Sequence, residues 1–198
     1  MTNQEYAELA AKTDLSSEQY NNVVTRIKDS STSVFDYLQD FIDVAQDLDT
    51  LKKHLYYGKD TGITENSGNT DVIEMEVADD AIVRKFAKTL HAIIGLATEA
   101  GELMEVVVHE LYGKVPSEFD RVHFEEEIGD IEWYRALLYA GTDQLFTNND
   151  TTQRISLIRP ETAQKKNIAK LKARYGDKFS EEAALNRDLD KERATLED

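Results

Sequence analysis

Apolar residues recur at three- and four-residue steps along almost the whole chain, and only 2 prolines and 9 glycines interrupt its 198 residues. Helix interiors tolerate neither residue well, so their scarcity leaves long amphipathic helices as the dominant element. Strand-like alternation is almost absent, and the pattern predicts an all-α helical bundle. Short helices are expected over 3–12 and 17–29. A stronger one follows Ser31, Thr32 and Ser33, which supply N-cap candidates, and it ends near Tyr56 and Gly58. Its apolar stripe reads Val34, Leu38, Phe41, Ala45, Leu48 and Leu51. Two long helices are expected at 81–112 and 118–146, divided between Gly113 and Pro116 with Ser117 as the second one's cap. A polar insert near 147–162 leads into a helix at 161–175, stopped by Gly176. A thinly amphipathic stretch closes the chain.

Composition divides this series into an N-terminal helical region, 1–58, an acidic connector, 59–80, and a helical domain, 81–198, packed as one unit. The connector is rich in Gly, Asn and Thr, and its stretch GITENSGNTDVIEMEVADD has no Lys or Arg. Across the chain 39 acidic residues face 23 Lys and Arg, a net charge of −16. Such a surface repels nucleic acid, so an anionic substrate has to be met by local cations or by bound metal. Cysteine is absent, which removes disulfides, zinc-thiolate sites and thiol catalysis together. No apolar run approaches the roughly 18 residues of a membrane span. The opening MTNQEYAELAAKTD lacks the basic-then-apolar order of a secretory signal, so a cytoplasmic location is expected.

Position separates the acids that matter from the solvated majority. At about 100° per residue, Leu96, Ala100, Leu103 and Val107 define one face of the 81–112 helix. Glu99 projects inside that face, Glu102 sits at its edge, and Glu105 lies on the far side. On the next helix Phe124, Ile131, Tyr134, Leu137 and Leu138 form the apolar face. Glu127 falls in its middle and Asp130 between Leu137 and Tyr134, while Glu125 and Glu132 point elsewhere. Two pairs at i, i+3 spacing therefore aim carboxylates inward. An unpaired buried carboxylate costs several kcal/mol, so each needs compensation. Either the faces are wet or neutralised by Lys and Arg, or a hard divalent cation sits among the oxygens. On the 161–175 helix Ile168, Leu171 and Tyr175 make the apolar stripe, and Asn167, Lys170 and Arg174 share an adjacent face. That face reads either as solvated bases or as a clamp for phosphate.

The segments GLATEAGEL, EEIGDIEWY and NIAKLKARYGDKFS, in this order, resemble the MazG-like, all-α nucleoside triphosphate pyrophosphohydrolases. The family signature E-x-x-E, then E-x-x-D on the next helix, is met by Glu99 with Glu102 and by Glu127 with Asp130. The likeness covers 86–140 and 165–190, so the N-terminal helices, the connector and the insert stand outside it. It implies hydrolysis of a (d)NTP between the α and β phosphates, giving the (d)NMP and pyrophosphate. It also implies Mg²⁺, with Mn²⁺ as substitute, held by Glu99, Glu102, Glu127 and Asp130, one of them orienting or deprotonating water. Asn167, Lys170 and Arg174 match the helix face that contacts the triphosphate, and the family's homodimers or homotetramers set the expected assembly. A contrasting reading, a non-catalytic acidic helical protein that mimics nucleic acid toward basic partners, requires the acids to face outward.

Overall fold

The computed structural model describes residues 2–63, 79–113, 120–146, 158–176 and 178–197, and all regular structure among them is helical. Eight helices follow in order: α1 (Asn3–Lys12), α2 (Ser17–Asp29), α3 (Ser31–Tyr57), α4 (Asp80–Tyr112), α5 (Arg121–Phe146), α6 (Pro160–Tyr175), α7 (Glu181–Leu185) and α8 (Leu189–Glu197). No helix among the described residues is long and apolar enough to cross a membrane. Most of the acidic connector and of the 147–162 insert lies outside the described residues, as does Ser117, the expected cap of α5.

Side-chain caps fix most of the helix starts. Thr2 and Ser16 each form a reciprocal capping box, with Glu5 and Gln19 respectively. Asp79 accepts from the Ala81 amide at 2.7 Å to open α4, and Asp120 accepts from the His123 amide at 3.0 Å to open α5. Pro160 occupies the first turn of α6, where its missing N–H costs nothing, and Gly176 ends that helix at φ 68°. Ser31 is already helical, so the Ser31–Ser33 run fills the first turn of α3 instead of capping it.

The chain forms two compact units. One joins Met1–Ser31 to Ile158–Asp198, and the other is Thr32–Leu157. Region 81–198, expected as one domain, thus gives α4 and α5 to the second unit and α6, α7 and α8 to the first. In the first unit α6 buries Gln164 and Ile168, and Glu192 of α8 is buried as well.

In the second unit small residues make the closest contacts between helices. α4 buries Ala92, Gly95, Thr98 and Gly101 together with Ile94 and Val108, whereas Val107 is 39% exposed, so its packed face is rotated away from the stripe of Leu96, Leu103 and Val107. A Cβ at Gly95 would overlap the Tyr134 ring of α5, and one at Gly101 would overlap Ala45 of α3. Gly141 of α5 meets Thr89 of α4 in the same way, with a would-be Cβ at 2.8 Å from Oγ1. The helices come close at Gly95, Gly101 and Gly141, and the polar groups next to Gly95 and Gly101 are trapped between them.

Candidate metal centre

On α3 the residues Ile42, Ala45, Asp49, Lys52 and Tyr56 recur at three- and four-residue steps and share one face. Ile42, Ala45 and Lys52 are its buried members. The Lys52 ammonium, 5% exposed, donates to Thr98 Oγ1 at 2.9 Å and to Glu99 Oε1 at 3.2 Å. It also pairs with Asp49 Oδ1 at 3.2 Å and lies 5.2 Å from the centre of the Tyr134 ring. Burial works against the charged amine, but the facing carboxylates, Glu99 foremost, outweigh it and hold the pKa of Lys52 above the ordinary lysine value. The Thr98 hydroxyl, which accepts from Lys52, lies within donating distance of the Gly95 carbonyl (2.8 Å) and of Glu99 Oε1 (3.0 Å). Glu99, 6% exposed, is thereby fixed in one orientation.

Glu127 is 4% exposed and has no such cation. Its Oε1 stands 3.2 Å from Nδ1 of His123, one turn earlier on α5. Its Oε2 is buried without a hydrogen-bond partner. Burial first, then the charge of Glu102, then the hydrogen bonds that the protonated carboxyl makes with Glu99 and Glu102 push Glu127 up to about 8, so its Oε2 lacks a partner when the group is ionised. Burial and the charge of Glu99 likewise raise Glu102, which is half-buried. Lys52 contacts both Asp49 and Glu99 and Lys53 also pairs with Asp49, so these two cations match these two acids and leave Glu102 and Glu127 with no Lys or Arg ion pair among the described residues. Ordinary surface acids of the same helix are paired, Glu125 with Arg121 at 2.7 Å and Glu132 with Arg135.

One donor oxygen from each of Glu99, Glu127 and Asp130 lies within 4.8 Å of the other two. In a shell with metal–oxygen bonds of about 2.1 Å, neighbouring donors stand roughly 3 Å apart and opposite ones roughly 4.2 Å. The donor set, all carboxylate oxygen and in excess of negative charge, fits a hard divalent cation, and the orphaned oxygen of Glu127 is the acceptor such an ion would satisfy. Asp130 differs from expectation: it is exposed and stands at the rim of the cluster, because α5 turns the position between Tyr134 and Leu137 outward. Beside Glu102 a cleft of about 250 Å³ opens between α3 and α4, lined by Gln46, Asp49, Thr50, Thr98 and Glu105 among others.

The residues matched to triphosphate contact lie in the other unit, on α6, where they meet protein groups. Arg174 binds Glu192 through Nε and Nη2, at 2.7 Å through Nε, and Arg187 adds a contact to the same carboxylate at 2.8 Å. These guanidinium hydrogen bonds, that of Arg174 first, hold Glu192 down at about 2. Asn167 donates to the Tyr6 hydroxyl at 2.9 Å, and Lys170 is half-buried on the same helix. Sequence reasoning passed over Lys52, Asp49 and Thr98. For Asp49 and Lys52 the signal was a polar pair set among Ile42, Ala45 and Tyr56 at helical spacing. The chain matches no protein-family model, no curated protein and no solved structure.

Proposed function

We propose that the chain is a Mg²⁺-dependent nucleoside triphosphate pyrophosphohydrolase that converts a (d)NTP into the (d)NMP and pyrophosphate. One observation carries the metal-dependent part: a buried Glu127 carboxylate with an unpartnered oxygen, among the oxygens of Glu99 and Asp130 and beside Glu102. The choice of reaction rests on the resemblance of GLATEAGEL, EEIGDIEWY and NIAKLKARYGDKFS to the MazG-like enzymes.

Glu99, Glu102, Glu127 and Asp130 hold the ion, and Mn²⁺ replaces Mg²⁺. Bound there, a divalent cation polarises the phosphoryl group, lowers the pKa of water and neutralises the departing pyrophosphate. The chain's own groups prepare for this. Lys52 and Thr98 hold Glu99 in a single orientation, so one ligand is set in advance. Glu127 gives up its proton as the ion enters. Glu102, at the mouth of the cleft, is placed to orient the attacking water. Within the other unit Glu192 and Tyr6 order Arg174 and Asn167, which with Lys170 are the phosphate-contacting residues that the resemblance implies.

The expected homodimer or homotetramer is part of this reading. Ile82, Phe86, Leu90 and Ile93 of α4 and Trp133 of α5 are 46–55% exposed, an apolar surface suited to a second copy. An enzyme of cellular nucleotide pools belongs in the cytoplasm. The nucleic-acid mimic fits less well, because it has no use for acids buried as Glu99 and Glu127 are.

Incubation of the pure chain with each (d)NTP and Mg²⁺, followed by separation of mono-, di- and triphosphates, tests the proposal. Nucleoside monophosphate and pyrophosphate in equal amounts are expected. Release of orthophosphate alone, or no turnover while the ion is bound, removes it.

A further inference from the structure

Glu127 belongs to a second group of donors. His123, Glu126 and Glu127 stand at i, i+3 and i+4 on α5, so they project from one side of the helix. One ligand atom from each lies within 4.8 Å of the other two. The imidazole Nδ1 is 3.2 Å from Glu127 Oε1, the spacing of adjacent ligands on one ion. A hydrogen bond from His123 satisfies that oxygen alone. The other oxygen, on the same carboxyl carbon, is buried without a partner in a residue 4% exposed.

We propose that His123, Glu126 and Glu127 form a transition-metal site, chemically distinct from the all-oxygen group of Glu99, Glu127 and Asp130, with Glu127 bridging the two. Imidazole nitrogen is a poor ligand for Mg²⁺ and a good one for Co²⁺ and Zn²⁺, so the mixed set selects the softer ions. The His123 side chain is 44% exposed and Glu126 is exposed, which gives ions access and leaves coordination positions open to water or a phosphate oxygen. The bridging role rests on the metal centre proposed above; the His123 site does not.

Co²⁺ is the probe, because its visible absorption reports coordination. Equilibrium dialysis of the full chain counts bound ions, in the wild type and in His123→Ala, Glu126→Gln and Glu127→Gln. Both His123 and Glu126 face solvent, and circular dichroism checks that helicity is kept. The wild type is expected to bind two Co²⁺ per chain. His123→Ala and Glu126→Gln should each weaken one of them at least about tenfold, since losing a ligand costs no less than losing an outer-shell partner. Neither should alter Mg²⁺ binding, and Glu127→Gln should impair both Co²⁺ ions. Co²⁺ binding and spectra unchanged in His123→Ala overturn the site, and loss of only one ion in Glu127→Gln overturns the bridge. His123-dependent Co²⁺ binding in a chain that hydrolyses no nucleotide would remove the proposed function and leave this site standing.

Discussion

Glu127 holds a proton in the metal-free fold that the unfolded chain would release. Its carboxyl sits at about 8, raised by burial and then by Glu102 and Glu99, against an ordinary 4.5. Between those values the folded state binds more protons than the unfolded state. The stability contributed is therefore complete below about 4.5 and is lost as pH rises through about 8. Metal-free protein should melt at progressively lower temperature from pH 6 to pH 9, and saturating Mg²⁺ should flatten that decline. Mg²⁺ binding near pH 7 should release a proton, measurable by calorimetry in two buffers of different ionisation enthalpy; binding without release would contradict it. Lys52 makes the complementary case. Lys52→Met leaves buried Glu99 without its ammonium, while Asp49 keeps Lys53, a loss of about 3–5 kcal/mol in denaturant unfolding. Mg²⁺ should restore part of it. Glu99 and Glu127 were legible in the sequence because each interrupts an apolar face. Lys52 was not, because its meaning comes from a carboxylate 47 residues away.

Among the helices, the boundaries of α1, α2, α4 and α6 were legible to within a residue, since caps and helix-stopping glycines are local chemistry, whereas the closing stretch, read as one, divides into α7 and α8. The packed faces were read less well. On α4 the large residues Leu96, Leu103 and Val107 define the strongest stripe, yet burial goes to Ala92, Gly95, Thr98 and Gly101, with Ile94 and Val108 beside them. Close approach of backbones needs absent side chains, and a periodicity weighted by size overlooks them. On α5 the expectation was met at Glu127 and Tyr134, seven residues apart, where the large ring itself fills the space over Gly95. Two substitutions separate these situations. Gly95→Ala drives a methyl into the Tyr134 ring and should cost about 1–3 kcal/mol. Gly129→Ala, where a Cβ meets open space, should gain roughly 0.5–1 kcal/mol from helix propensity. Urea unfolding of both variants decides the matter, and a destabilised Gly129→Ala would mean that something packs against α5 there.

For the whole molecule, the exposed apolar line of α4 predicts association. Sedimentation should give a mass of two or four times 22.5 kDa, and Phe86→Asp should shift it toward the single chain. A monomeric wild type would contradict the assembly. Global stability also reports the purpose of the buried carboxylates, because an ion that binds only the folded chain raises its melting temperature. Glu127→Gln keeps the shape of the side chain and abolishes the negative charge that Glu127 takes on only above about pH 8 or when an ion displaces its proton. The most direct measurement is thermal unfolding of wild type and Glu127→Gln at about pH 9, where the metal-free Glu127 carboxyl is ionised, with and without Mg²⁺. Without the ion the variant should melt higher than wild type; with it, wild type alone should rise. A variant that melts lower in the absence of metal, or that gains as much from Mg²⁺ as wild type does, would show that Glu127 is there for the fold and not for a cation.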